Sequence, residues 1–290
     1  MIPKVTLISW TDRPIETVYV LWHASKDENE LIHIDDVDEQ EALELFNKVV
    51  AQNIPIGEHL NFVFMLENVS VSFREQMVRH RIGTTVGDRL GADIVPDLSQ
   101  SSWWSQSMRI MDMGTFYSQG HYRIPATVTT ERSLKTYLSA MKHSQDAYNW
   151  LVSDGVPMED ARELIPLGAQ HRISWALNLS ALQHIIGKRS CWILQAPLWL
   201  PIIEGMVDEL CEKIHPVFRN LAKPPCINSA NRYKQCAYQL ENERRVDGLD
   251  AHDPCPLYLS EHSMSPVPWD NEAFQERKAQ YLKLWGDFYY

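Results

Sequence analysis

Apolar residues recur along this chain with two different periods. Near the N-terminus, Val5-Thr6-Leu7-Ile8 and Thr17-Val18-Tyr19-Val20-Leu21 are β-rich runs on either side of the turn-prone Asp12-Arg13-Pro14, and they predict an early or edge strand pair. From Asp36 to Gln52 the period lengthens. Ala42, Leu43, Leu45, Phe46 and Val49 fall at helical spacing behind an acidic start suited to a helix N-terminus. The breaker-containing loop Ile54-Pro55-Ile56-Gly57-Glu58-His59 follows, and Phe62-Val63-Phe64-Met65-Leu66 then predicts a buried strand. A helix is expected over Phe73–Ile82, with Phe73 and Met77 on one side.

Residues 83–102 hold three glycines, Pro96 and many small polar residues, so the spacing predicts a loop there. A loop of that length within a compact domain is functional or disordered. Trp103 and Trp104 follow it; their faces suit stacking on a planar ring, and equally suit an ordinary core. Leu134, Tyr137, Leu138, Met141, Ala147 and Leu151 predict a long amphipathic helix over 130–152, ended by Gly155-Val156-Pro157. A second helix is expected from Met158, carrying Arg162 among apolar residues, where a buried guanidinium needs an anionic partner. Gln170–Arg189 is expected to be the most regular helix, with Ile173, Leu177, Leu182, Ile185 and Ile186 on its apolar side. Asn178 and Arg189, about three turns apart, would then share a face. Another helical stretch lies within 197–221, around Ile202-Ile203 and Met206-Val207. Beyond Lys223 the composition shifts to Pro, Asn, Asp and Cys, with an amphipathic helix expected from about Asn271. The expected organisation is one domain over 1–222 and an extension over 223–290.

The chain has 290 residues, 44% of them hydrophobic, enough for a substantial core. Its formal net charge of -11 argues against a nucleic-acid partner, because phosphate-backbone binders need a basic face. Five cysteines, no secretory pattern after Met1 and no long apolar run lead us to expect a cytoplasmic protein with no membrane partner. Cys226, Cys236, His252 and Cys255 contain the residue types of a three-cysteine, one-histidine zinc site. Their irregular spacing lacks a C-x-x-C pair, and no metal is expected. No G-x-G-x-x-G and no G-x-x-x-x-G-K-[ST] occurs, so phosphates would have to be gripped by side chains, for which arginine is suited.

Against this acidic background, Phe73–Arg109 gathers cations around Trp103-Trp104. Arg79, His80 and Arg81 are consecutive, and consecutive helical side chains diverge by about 100°, so the three would serve at least two ligands. Gln76 lies one turn earlier and can share a face with Arg79 and His80. QMVRHRIG followed by Ser107-Met108-Arg109 resembles the signature of the flavin-dependent thymidylate synthases, which is Arg-His-Arg, a spacer, then Ser-x-Arg. The spacer here is longer, residues 83–102 forming an insertion. The resemblance extends to the Glu58-His59 pair, to Ala161-Arg162, and to Asn178, His184 and Arg189 at matching spacing. Ser180 stands where the family commonly has arginine.

The resemblance implies an α+β fold with an antiparallel sheet flanked by long helices. It also implies a non-Rossmann flavin-binding fold, assembled as a homotetramer with sites shared between subunits. The implied reaction is reductive methylation of dUMP to dTMP, with FAD as cofactor and with NADPH and methylenetetrahydrofolate as co-substrates. By the same match, Gln76, Arg79, Ser107, Met108, Arg109, Arg162 and Arg189 would hold the nucleotide. Arg109, Arg189 and Ser107 would lie at the reacting ring. His59, Arg79, His80, Arg81, Asn178 and His184 would contact the flavin. No enzyme nucleophile is expected: none of the cysteines lies in the motif region, Cys191 coming closest at two residues after Arg189, and Ser107 has no general base near it in sequence. Alternatives are C5 methylation of UMP, pyrimidine hydroxymethylation, or a non-catalytic nucleotide-binding relative.

Overall fold

The computed structural model describes residues 3–26, 31–52, 54–79, 101–108, 110–125, 128–189, 198–221, 258–260 and 263–266. A four-stranded antiparallel sheet organises it, in the order β1-β2-β4-β3, from β1 (Lys4–Trp10), β2 (Asn61–Ser70), β3 (Ser101–Ser105) and β4 (Gln170–Asn178). Neighbouring strands share side-chain faces. Leu7, Phe62, Phe64, Leu66, Ile173, Trp175 and Leu177 are accordingly buried together in the main core.

The partner of β1 is β2, and residues 17–21 are not a strand. They lie in α1 (Pro14–Ala24), which corrects the predicted strand pair. Pro14, with its fixed φ and missing N–H, suits the first helical turn, and Pro14, Ile15 and Val18 fall on one buried face. Arg13, at φ 43°, anchors the entry by bonding Glu16 Oε1 at 3.2 Å and the Ile34 carbonyl at 2.8 Å. Packing has overridden the β-branched character of Thr17, Val18 and Val20. The helix α2 (Glu39–Gln52) matches its sequence pattern, burying Ala42, Phe46 and Val49.

The predicted helix at 170–189 is two elements: the strand β4, then α6 (Leu179–Arg189). Ile173, Trp175 and Leu177 alternate with exposed Arg172 and half-buried Ser174 and Ala176, which is the period of a strand. Asn178 ends the strand and caps the helix, its Oδ1 accepting the Ala181 N–H at 2.9 Å. Asn178 and Arg189 therefore do not share a face of one helix.

At its other end, β2 runs directly into α3 (Val71–Met77), where Ser70 Oγ accepts the Phe73 N–H at 3.2 Å. The helix stops at Met77, short of the expected Ile82, and Arg79 lies in the following turn. Phe73 and Met77 are buried on one side as predicted. The helix α7 (Leu200–Lys213) crosses β1 so closely that a Cβ at Gly205 would lie 2.8 Å from Val5 Cγ2. Its Glu209 accepts the Leu7 N–H at 2.6 Å while Lys213 donates to the Leu7 carbonyl at 2.8 Å, satisfying backbone groups beside the register shift between Leu7 and Ser9.

A second core joins Met113, Phe116, Met141, Tyr148, Ala161 and Ala169. It is built on α4 (Glu131–Ser153), whose Thr130 and Ser133 form a reciprocal capping box. The helix expected from Met158 is one turn, α5 (Met158–Ala161), continuing as a 3-10 turn at Arg162–Leu164. The strands β5 (Tyr258–Ser260) and β6 (Ser263–Pro266) pair with each other. The helix expected from Asn271 lies outside the described residues.

Candidate active site

Trp199, at the N-terminus of α7, is fully buried where three elements meet. Its indole Nε1–H donates to Gln76 Oε1 of α3 at 2.8 Å. The Arg189 guanidinium, at the C-terminal end of α6, lies over the indole face with its carbon 4.6 Å from the ring centroid, within range of a cation–π attraction. Phe73 and Trp175 wall the indole in at centroid distances of 4.6 and 6.3 Å. Burial pushes the Arg189 pKa down from its ordinary value, yet a guanidinium remains charged in a protein. The result is a half-buried fixed cation, suited to an anionic or carbonyl-rich ligand.

Other candidates gather at the opposite end of α6. His59 closes a 3-10 turn, Pro55–His59, that packs against α6, and a Cβ at Gly57 would stand 3.3 Å from Leu179 Cβ. Asn178 begins α6, and His184 lies midway along it, half-buried. From Leu179 to Arg189 the helix spans about 15 Å at 1.5 Å per residue. It thus separates the His59–Asn178 end from the Gln76–Arg189 end by a length suited to an extended ligand.

The family described as "Thymidylate synthase complementing protein" matches residues 6–198. The chain belongs to this family of flavin-dependent thymidylate synthases. A flavin-dependent thymidylate synthase from Geobacter sulfurreducens is 33% identical over 172 residues, which make up 59% of this chain and 64% of that protein. The Pyrococcus abyssi flavin-dependent thymidylate synthase is 26% identical over 233 residues, 74% of this chain and 83% of that protein. Two solved structures share the fold. The UMP/dUMP methylase PolB from Streptomyces cacaoi, bound with 5-Br dUMP, superposes with a TM-score of 0.58 at 15% identity, covering 76% of this chain and 93% of that one. Thymidylate Synthase X from Helicobacter pylori, with FAD and dUMP, superposes with a TM-score of 0.53 at 16% identity, covering 76% of this chain and 99% of that one.

Within this thymidylate synthase fold, Gln76 and Arg189, 113 positions apart by their numbers, meet on one indole. Arg79 is exposed in the turn after α3, its N–H bonded to the Gln76 carbonyl at 3.3 Å. Ser107 is exposed just past β3 and its carbonyl accepts the N–H groups of Ile110 and Met111, both at 3.1 Å. Met108 packs against the second core. Arg162 is half-exposed rather than buried, and its Nε donates to the Glu159 carbonyl at 2.8 Å, so a backbone oxygen fills part of the role expected of an anion. His80, Arg81, Arg109, Cys191 and the four tail residues Cys226, Cys236, His252 and Cys255 lie outside the described residues. Among the described residues no group of three His, Cys, Asp or Glu could hold a metal ion, and no helix is long and apolar enough to cross a membrane.

The tryptophan pair is divided by its strand. Trp103 packs on the main core and Trp104 is 82% exposed on the opposite face. Trp199 carried no signal in the residue pattern, since nothing in its neighbourhood is charged or glycine-rich. Only its contacts reveal its place between Gln76 and Arg189.

Proposed function

We propose that this chain catalyses the reductive methylation of dUMP to dTMP, with methylenetetrahydrofolate as carbon donor and NADPH as reductant. The observation that carries this reading is the convergence of Gln76, from the signature segment, and Arg189, from the second block that resembles the family in spacing, on Trp199 within a chain of this family. FAD, when bound, supplies the hydride chemistry that the side chains cannot. The residues present fit it: the beam of α6 carries polar groups at its His59–Asn178 end and a fixed cation at its Arg189 end.

In this reading, Gln76, Arg79, Ser107, Met108, Arg109, Arg162 and Arg189 hold the nucleotide, and His59, Arg79, His80, Arg81, Asn178 and His184 hold the flavin. Arg189 and Arg109 stabilise negative charge developing on the pyrimidine ring. Arg189 is suited to this because it is already half-buried and seated over the indole, so it needs little reorganisation. Ser107 positions the nucleotide and is not a nucleophile. Residues 1–222 form the catalytic domain and 223–290 an extension of it.

The active unit is a homotetramer with shared sites. Support for self-association comes from the sheet face turned away from the main core. It carries Val63, Met65, Ala176 and the exposed Trp104, none of which belongs to either core. Soluble tetramers commonly bury such faces between copies.

The test is direct. Purified protein should show a flavin absorbance band and, with FAD, NADPH and methylenetetrahydrofolate, convert dUMP to a product of the mass and retention of dTMP. Because the insertion at 83–102 separates the two halves of the signature, UMP should be assayed beside dUMP. Turnover of UMP in preference to dUMP would replace the proposed substrate, and a protein that binds nucleotide but never holds flavin would overturn the enzyme.

A further inference from the structure

Gln76 and Arg189 owe their positions to a residue that need not touch the nucleotide itself. Trp199 cannot rotate: its ring is fully buried against Phe73 and Trp175, and its carbonyl accepts the N–H groups of Ile202 and Ile203 at 3.0 and 2.9 Å. An indole nitrogen is a donor only, so the atom of Gln76 that faces it must be the amide oxygen. Phe73 and Gln76, three residues apart on α3, share the face turned to the indole. The same ring presents its π face to the Arg189 guanidinium. One immobile side chain therefore constrains two candidate ligand contacts carried by different helices.

We propose that Trp199 is the positioning residue of the nucleotide site, locking Gln76 so that it offers the ligand its amide N–H2 and holding Arg189 over its ring face beside it. This rests on the nucleotide-binding reading given above. A Gln whose oxygen is turned toward the indole directs its two N–H donors away from it, to the side where a ligand would lie. It therefore matches a carbonyl on the pyrimidine edge, as at C4 of uracil, and is mismatched to the C4 amine of cytosine. Trp199 thereby sets the selectivity of the site for a carbonyl-bearing ring as well as its affinity. Replacing the indole with phenyl keeps an aromatic face for Arg189 and removes the donor at some cost in packing, which frees the amide of Gln76 to turn over.

The experiment measures dUMP and dCMP binding by calorimetry on the flavin-loaded protein for the parent, Trp199→Phe, Gln76→Ala and the double variant, with flavin content and Tm recorded for each. We expect Trp199→Phe to keep its flavin, to weaken dUMP binding about 3–10-fold, the worth of one hydrogen bond, and to narrow the preference for dUMP over dCMP. In the Gln76→Ala background the same change should add little to the loss of dUMP affinity, because the residue it positions is gone. The lowered Tm of Trp199→Phe should persist in both backgrounds. A Trp199→Phe protein with lowered Tm but parental dUMP affinity and parental selectivity would overturn the positioning role while leaving the nucleotide reading intact. Failure of the flavin-loaded parent to bind dUMP at all would instead remove the nucleotide reading, and this inference with it.

Discussion

The side-chain oxygen of Asn178 accepts the backbone N–H of Ala181 at 2.9 Å, and this bond marks where the chain changes from strand to helix. Asn178 is 1% exposed, so the bond is shielded from water. The residue that the proposed function assigns to the flavin is thus also the cap of the helix that carries His184 and Arg189. Asn178→Ala should lower stability by about 1 kcal/mol, typical of a lost cap, and should reduce flavin content. Asn178→Asp, which keeps a capping oxygen, should recover most of the stability and not the flavin affinity if the amide N–H2 contacts the cofactor. Denaturant titrations paired with flavin absorbance separate the two effects; equal recovery of both by aspartate would assign Asn178 to capping alone.

That junction also shows what was legible in the sequence. Helices such as α2 and α4 announced themselves, because a single surface buries residues at one unbroken period. Across 170–189 two periods abut without Gly or Pro between them. Ile173 and Leu177, four apart, fit a helix as well as a strand; Trp175, between them, fits only the strand. At α1 the β-branched run pointed to a strand, while the deciding influences were Pro14 and the contacts of Arg13 with a segment some twenty residues away. The site was legible in part for a related reason. Charged residues with a family spacing could be found one by one, but the buried indole that joins Gln76 to Arg189 has no local signature.

Close packing of α7 on β1 depends on Gly205. A methyl group there would meet Val5 at 2.8 Å from Cγ2 and 3.0 Å from Cβ, and the short, branched Val5 has no flexible end to move aside. Gly205→Ala should therefore destabilise the fold by about 1–3 kcal/mol, despite alanine's better helix propensity. Adding Val5→Ala opens the space, so the double variant should be more stable than the sum of the two single changes. Additive losses in urea midpoints would mean that contact with Val5 is not the source of the loss at Gly205.

Trp104 stands 82% exposed on β3, and its neighbours on that sheet face include Ser174 and Ser102. Exposure of so large an apolar ring is consistent with the proposed homotetramer. Trp104→Glu should leave the monomer fold intact, because the side chain contributes to neither core. It should shift the mass measured by light scattering from tetramer toward smaller species, and flavin content should fall with it if sites are shared. Unchanged mass with unchanged flavin would place the interface on another face.

Among the described residues, His171 is a buried group whose charge matters. It is 4% exposed on β4, beside the strand residue Val69 with which it is in register. Burial, with the nearby Arg74 cation adding to it, lowers its pKa from 6.5 to about 4; the backbone of Val69 opposes this only weakly. The folded protein therefore resists protonation of this ring, whereas the unfolded chain takes up the proton near pH 6.5. Between those values the unfolded state binds more protons, so stability falls as pH drops from about 6.5 toward about 4 and is unaffected by this group above that window. The full difference is on the order of 3 kcal/mol. His171 lies on the strand that leads into Asn178, and Arg74 lies on the helix that carries Gln76, so loss of stability here should loosen both ends of the candidate site. Urea unfolding followed at pH 7, 5.5 and 4.5 should show a steeper acid loss for the parent than for His171→Phe, which cannot be charged. If the two proteins lost stability in parallel across that range, other groups would account for the acid sensitivity.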